Sequence, residues 1–416
     1  MSVFIYNIFL ALFNPVLRIA SIWNKKAQQW VDGRKNIFSK LKNAIGVNVS
    51  KTIWVHCSSL GEFEQGRPII EMLKNCFPEH KIMLTFFSPS GYEVRKNYGG
   101  ADWVFYLPMD SKKNAIQFLD IVKPGLFILV KYDYWYYYLR ECNKRNIPIV
   151  LISGIFREQQ PFSKWYGKFH RTMLACITQL FVQDQHSKEL LQKIKIKNVS
   201  VAGDTRFDRV IDIAENFQPI EFIENFCNNS PTLVAGSTWP EDERIINESI
   251  AGISNLKLII APHEIHKEHI EQIQKVFPDA ILFSEIQQIE NIKKRNCLVI
   301  DNIGMLSRLY HYGTITYVGG GFNAGIHNTL EAAVHGKPVI FGPEYQKFKE
   351  AIDLIKTGGG FTIKDHDQLK SLMQLLLTDN KKFLESSNSA KEYVLNNKGA
   401  TEKIVNYILE NRLLTN

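Results

Sequence analysis

The sequence predicts an α/β protein of two doubly wound, Rossmann-like domains, and three observations carry that prediction. Short apolar runs of strand length alternate with amphipathic stretches of helical length from Ile53 to Phe341. The alternation lapses once, between Glu215 and Pro231. A glycine-rich turn, with glycines at 319, 320, 321 and 325, follows the apolar run Ile315–Val318, and the run Val339–Phe341 follows in turn. That order reads as strand, loop, helix, strand. At 416 residues the chain is too long for one core and fits two domains of about 200 residues each.

Taken in order, the first element is Val3–Trp23, which is largely apolar but interrupted by Asn7, Asn14, Pro15 and Arg18. It approaches the roughly 20 residues a membrane span needs. Its positive charges, Lys25, Lys26, Arg34 and Lys35, follow the apolar run, whereas a signal peptide carries them first and ends in a small-residue cleavage site. Residues 1–30 are therefore expected to form an uncleaved membrane anchor, spanning the bilayer or lying in its interface, with the remainder cytoplasmic. The alternative is a buried amino-terminal helix. Strands are expected at Ile53–Val55, Lys81–Phe87, Trp103–Leu107, Leu126–Val130, Ile147–Ile152 and Leu180–Val182, and, past the lapse, at Thr232–Ala235, Leu256–Ala261, Ala280–Phe283, Leu298–Ile300, Ile315–Val318 and Val339–Phe341. This βαβ order implies parallel sheets covered on both faces. The expected domains are 31–214 and 215–416, the last helix being free to return to the first domain. Ligands of such sheets bind beyond the carboxyl ends of the strands, so two domains facing a cleft are expected.

Composition excludes several classes. With 45% hydrophobic and 22% charged residues and no repeat, the chain is a folded protein. The net charge of +8 is spread along it and suits an anionic membrane surface or acidic substrate; no zinc-finger spacing or RNP-like stretch supports a nucleic-acid partner. Six cysteines without C-x-x-C pairing read as reduced cytosolic thiols.

Candidate chemistry lies at the strand ends. In the glycine-rich loop the backbone can approach a ligand closely, and the helix start offers unpaired N–H groups suited to a phosphate. Asn328 and Glu331 share a helix face, where Glu331 could accept hydrogen bonds from a ribose diol. The plain alternative is a turn closing an ordinary βα unit, and the absence of G-x-G-x-x-G disfavours a dinucleotide enzyme. The first strand runs into H-C-S-S-L-G-E-F-E-Q-G, with Ser58, Ser59 and Gly61 in a turn and Glu62 at the helix entrance. Glu62 is either a general base or, with Glu64, a first-turn acid answering the helix dipole. Lys131 and Asp133 end the run F-I-L-V, beside an aromatic cluster, Tyr132–Tyr138, expected to be mostly packing. Arg206 either holds a phosphate or carboxylate or pairs with Asp204 or Asp208. Ser237 and Thr238 are ligand contacts or a helix cap. Histidines 263, 266 and 269 invite a zinc reading, but their spacing walks around a helix and H-E-x-x-H is absent, so no metal is expected.

These motifs resemble, in family order, those of the Kdo transferases, bacterial glycosyltransferases that move 3-deoxy-manno-octulosonic acid from its CMP ester onto lipid A precursors. The family's Gly-rich loop, His-Asn-x-Leu-Glu and Gly-Pro are matched by Gly320, His327-Asn328-Thr329-Leu330-Glu331 and Gly342-Pro343. Its Ser-x-Gly-Glu, whose Glu is the base, is matched by Ser59-Leu60-Gly61-Glu62. Its Ala-Gly-Ser-Thr turn is similar to Ala235-Gly236-Ser237-Thr238, and the cytidine-lining Pro-Arg-His-Pro-Glu-Arg survives loosely as Pro262-His263-Glu264. Departures occur at Lys131 and Asp133, where the family has Glu-x-Glu before the Trp retained here as Trp135; at Arg206, where it has Lys; and at Met305, where Asp-Thr-Met-Gly-Glu-Leu carries Glu. The amides of Gly304, Met305 and Leu306 could still contact the nucleotide. The resemblance implies a GT-B type glycosyltransferase on the cytoplasmic face of the inner membrane, with an acceptor-binding first domain and a CMP-sugar-binding second. It implies inverting transfer of Kdo from CMP-Kdo to the lipid A precursor lipid IVA, with Glu62 as base and Lys131 and Arg206 carrying charge. A leaving group with one phosphate needs no divalent ion, and no cofactor is expected. A UDP-sugar enzyme of the same architecture and a silent, membrane-docked nucleotide-sugar binder are the alternatives.

Overall fold

The computed structural model describes residues 2–46, 51–323 and 325–414. The chain divides into two compact units, Met1–Arg209 together with Gly399–Asn416, and Val210–Lys398.

The first unit carries strands β1 (Thr52–Cys57), β2 (Lys81–Phe86), β3 (Trp103–Tyr106), β4 (Pro124–Val130), β5 (Ile149–Gly154), β6 (Gln179–Val182) and β7 (Val199–Val201). They form one parallel sheet in the order β3-β2-β1-β4-β5-β6-β7. All six residues of β1 are buried, as a central strand covered on both faces requires. In register, Val55 lies beside Ile128 and His56 beside Leu129. The chain winds from β1 to β2 and β3 on one side, then returns to β4 on the other. That reversal opens a crevice at the carboxyl ends of β1 and β4.

The second unit repeats the plan with β8 (Thr232–Thr238), β9 (Lys257–Pro262), β10 (Ile281–Leu282), β11 (Cys297–Val299), β12 (Ile315–Val318), β13 (Val339–Phe341) and β14 (Gly360–Thr362). The order is β10-β11-β9-β8-β12-β13-β14, again parallel, with Ala235 beside Tyr317. Its reversal falls between β8 and β12.

Several elements differ from the sequence expectation. β7 and β14 have three residues each and did not register as apolar runs. The run Ala280–Phe283 yields a two-residue strand followed by a 3-10 turn. The lapse between Glu215 and Pro231 contains a helix, Glu221–Cys227, that buries Ile223, Phe226 and Cys227. The division between the units falls instead inside helix Thr205–Glu215. The physical reason is Asp208, whose carboxylate accepts the amides of Gly399 (2.6 Å) and Thr401 (2.7 Å) and so ties the start of that helix to the last one. Helix Ala400–Glu410 buries Ala400, Ile404, Val405 and Ile408 in the same core as Ile53, Val55 and Leu126.

At the amino terminus, α1 (Val3–Ala20) is long and apolar enough to cross a membrane. One face is docked on the first unit: the Tyr6 hydroxyl donates to buried Asp110 (2.6 Å), the Tyr137 hydroxyl donates to Asn7 (2.8 Å), and Phe13 meets Trp30 and Phe87 edge-on and stacked. The opposite face is apolar and exposed, with Phe4 at 72%, Leu12 at 63% and Val16 at 60%.

Candidate active site

In the first unit, β1 delivers the chain into helix Leu60–Cys76 with Ser59 as its N-cap. The helix lies close to the sheet because Gly66 has no side chain; a Cβ there would come within 3.1 Å of Cys57 Sγ and 3.2 Å of Val130 Cγ2. Glu62, in the first turn, folds its carboxylate back onto the Ser58 amide. Burial and the neighbouring charge of Asp133 push its pKa up to about 7, against the lowering effects of the Ser58 amide, Lys131 and the Ser59 amide. Desolvation thus outweighs the helix dipole that would ordinarily hold a first-turn carboxylate ionised. Glu64 is different: it pairs with Arg95 (2.9 Å). Gly61 is exposed, and a Cβ there would meet nothing within 4 Å, so packing within the protein does not require the glycine.

β4 ends at Lys131, which adopts φ +60°, a left-handed conformation that costs a lysine energy and clusters at functional sites. Two residues on, the Asp133 carboxylate stands 3.3 Å from Nε2 of buried His56. His56 Nδ1 lies 2.9 Å from the Thr85 hydroxyl, and the Trp135 indole donates to Nε2 (3.2 Å). The aromatic run therefore does more than pack. Arg206 pairs with Asp204, not with Asp208: its amide and Nε donate at 2.9 Å and Nη2 at 2.7 Å. Burial alone would raise Asp204, but Arg206 and Lys131 hold it below the usual carboxylate range, and the Gln65 amide donates to both its oxygens (3.1 and 3.2 Å). Much of the Arg206 fork is thus already engaged.

In the second unit the loops after β8, β9 and β12 meet. Ser237 takes φ +54°, and Gly319 packs so tightly beneath it that a Cβ would fall 2.3 Å from the Ser237 carbonyl oxygen. Rings of Trp239, His263 and His327 stack in sequence, with centroids 4.8 and 4.3 Å apart, and the Trp239 indole donates to His327 Nε2 (3.3 Å). Burial and the adjacent His263 push His327 down to about 4; burial lowers His263 as well. Both rings are neutral at pH 7, so the stack is free of charge repulsion. His269, by contrast, bonds the Glu264 carbonyl (2.8 Å) and the Glu243 carboxylate (3.1 Å).

Several expected donors are already committed. The Gly320 amide, at φ +91°, donates to Asp242 (2.9 Å), which also accepts from the Trp239 amide (2.9 Å) and the Tyr317 hydroxyl (2.7 Å). Gly319 donates to Gly236, and Gly325 to Gly320. The Thr238 hydroxyl donates to Glu243 (2.9 Å). The Leu330 side chain is fully buried and its amide goes to Asn328 (3.2 Å). The helix expected from Asn328 is only Leu330–Ala333, too short for a strong dipole. Among the described residues the amides of Asn328 and Thr329 take no backbone partner, and the buried Thr329 hydroxyl has no partner. Thr329 is fully buried, so of these groups the amide of half-buried Asn328, rather than the glycine amides, is open to an anion. The Asn328 side chain donates to Glu331 (3.0 Å), placing both on one face. Pro262 is buried at the end of β9. Gly304, at φ +98°, leads through buried Met305 into Leu306, which packs under Gly236.

Each candidate set therefore lies at the reversal point of its own sheet. A family model described as 3-Deoxy-D-manno-octulosonic-acid transferase (kdotransferase) matches residues 31–209. Residues 31–209 are thus similar to the amino-terminal domain of the Kdo transferases. Similarity to Kdo transferases extends over most of the chain: the 3-deoxy-D-manno-octulosonic acid transferase of Aquifex aeolicus is 29% identical over 354 residues, 83% of this chain and 90% of that protein. That of Haemophilus influenzae is 26% identical over 373 residues, 86% of each. A bifunctional glycosyltransferase/methyltransferase of Fusobacterium nucleatum is 26% identical over 427 residues and 98% of this chain, which spans 61% of that protein's length. Among solved structures, the UDP-GlcNAc 2-epimerase of Neisseria meningitidis bound to UDP-GlcNAc (TM-score 0.62, 17% identity, 86% of this chain and 100% of that one) shares the fold. So does a glycosyltransferase of Rickettsia africae (TM-score 0.57, 16% identity, 88% and 100%). The fold is of the GT-B type, and family and fold together make this Kdo transferase relative a glycosyltransferase.

His56, Gln65 and Asp242 were not singled out from the sequence, and Asp204 entered only as a possible partner of Arg206. Their signal was weak: each is a polar residue next to or inside a helix start or strand, with partners 29 to 139 residues away.

Proposed function

We propose that the chain transfers Kdo from CMP-Kdo to a lipid A precursor with inversion at the anomeric carbon. The observation that carries this reading is Glu62, a carboxyl pushed up to about 7 at the reversal point of a Kdo transferase domain. A base with that pKa of about 7 is about half ionised at neutral pH and is basic enough to take a proton. In the step proposed, Glu62 removes the proton of an acceptor sugar hydroxyl while its oxygen attacks the anomeric carbon. The bond to the phosphate breaks and CMP leaves with the electron pair. The Asn328 amide is suited to the phosphate and the Trp239–His263–His327 stack to a base or sugar ring. Lys131 supplies positive charge beside Glu62 and Asp204.

The membrane reading rests on α1. Because Tyr6, Asn7 and Phe13 bind one face to the domain, the exposed Phe4, Leu12 and Val16 are placed to enter the cytoplasmic leaflet sideways, with the helix lying in the interface of the inner membrane.

The test supplies CMP-Kdo, generated in situ, and a tetra-acylated lipid A precursor to wild type and Glu62→Gln. Transfer by wild type is expected, with turnover lower by about 10²–10⁴-fold in the variant and CMP binding retained. Transfer from a UDP-sugar but not CMP-Kdo would overturn the donor, and full activity of Glu62→Gln would overturn the base.

A further inference from the structure

The turn that carries Asp133 past Glu62 is held from inside the sheet. Glu62 interacts with Cys57 at the end of β1 and with Lys131, Tyr132 and Asp133 on the turn after β4. Burial pushes up the Cys57 thiol and the phenols of Tyr132 and Tyr134, so these stay neutral near pH 7, and Glu64 is answered by Arg95 (2.9 Å). Lys131 favours the ionised base, whereas burial and the charge of Asp133 oppose it. Asp133 does not stay in place unaided. Ionised Glu62 repels it, and its side chain is 22% exposed, so water is open to it.

His56 supplies the restraint. Its ring is fully buried on β1, with Nε2 3.3 Å from the Asp133 carboxylate and 3.2 Å from the Trp135 indole nitrogen. Two side chains of one turn thus converge on a single ring nitrogen. The turn itself is tight: the Tyr134 amide donates to the Tyr132 carbonyl (2.8 Å) and the Trp135 amide to that of Asp133 (2.9 Å). On the far side of the ring, Nδ1 lies 2.9 Å from the Thr85 hydroxyl on β2, which also accepts from the Trp54 indole (2.8 Å). Trp54 in turn stacks on Phe127 with centroids 3.7 Å apart. The imidazole is therefore fixed by the core before it meets the turn, and a side chain locked in this way can hold another in register.

We propose that His56 is a positioning residue of the transfer, clamping the turn after β4 so that the Asp133 carboxylate cannot swing away from Glu62. Fully buried, the imidazole does not reach the acceptor; it acts on the base only through Asp133. The inference rests on Glu62 being the base of the proposed reaction.

The experiment reads the Glu62 midpoint in two ways: from the pH of half-maximal transfer, and, without substrate, from the pH at which urea stability diverges between Glu62 and Glu62→Gln forms of each background. Wild type should give about 7 by both. Asp133→Asn should lower both midpoints by about one pH unit. His56→Leu should move them the same way, because the released carboxylate turns to water, and His56→Gln, whose amide can still bond Asp133, should restore most of the shift. In the Asp133→Asn background His56→Leu should add nothing. A folded His56→Leu with unmoved midpoints, or a shift that persists without the Asp133 charge, would overturn the clamp. If His56→Leu does not fold, Thr85→Val, which removes the Nδ1 partner at constant shape, must give the same acid shift in smaller measure, and its absence overturns the clamp. Should no form transfer Kdo while the stability midpoints move as stated, the clamp is supported and the donor reading fails.

Discussion

At Glu62, function and stability pull in opposite directions. Burial and Asp133 favour the protonated carboxyl, so the folded protein binds this proton more tightly than the unfolded chain does. Stability is therefore lost as pH rises from the ordinary carboxyl pKa, 4.5, through the folded value of about 7. Glu62→Gln removes the charge and should be more stable than wild type by on the order of 2–3 kcal/mol above pH 7, with no difference below about pH 4.5. Urea unfolding at pH 4.5 and pH 8 reads this directly. Equal stabilities at pH 8 would show that the carboxyl is not desolvated. For the wild type the same ionisation sets the acid side of the activity profile, which should be half-maximal at about pH 7 and level off about one unit higher. Lys131 belongs to the same account, since its φ of +60° is strain that the strand end holds in place beside the base.

Among the elements, the last helix is the one whose position the rest of the chain decides. Helix Ala400–Glu410 has no side-chain N-cap of its own; Gly399 stands at that position with φ +97°. Asp208 supplies the missing acceptor from nearly two hundred residues away by taking the Gly399 and Thr401 amides. Asp208→Ala should cost about 1–2 kcal/mol in urea unfolding and raise hydrogen exchange first in residues 399–410. If exchange there is unchanged, the cap does not hold the helix. The amino-terminal helix shows the converse: its apolar residues were plain in the sequence, but the docked face depends on Asp110, whose carboxyl burial pushes up to about 6 while Tyr6 and two backbone amides hold it down.

For the molecule as a whole, two sheets with separate cores predict two unfolding transitions. CMP at about a hundred times its dissociation constant should stabilise the second unit by roughly 2.7 kcal/mol and move only its transition. Glu62→Gln at pH 8 should move only the other. Calorimetry with both perturbations assigns the two transitions, and a CMP shift confined to the Glu62-sensitive one would place the nucleotide in the wrong unit.

The sequence alone determined what depends on neighbours in the chain. Alternating apolar and amphipathic stretches made the α/β class and most strands legible, because burial imposes a period on each element separately. Strand ends carrying Glu62, Lys131, Ser237 and the glycine loop were legible for the same local reason. Only the tertiary structure decided which ends share a reversal point, with β4 beside β1 and β12 beside β8. It also decided the partners: Gln65 for Asp204, Asp242 for the Gly320 amide, and Asp133 for His56. A pKa or a free amide is set by charges and donors through space, and those came from residues dozens to more than a hundred positions away, beyond the reach of any local pattern.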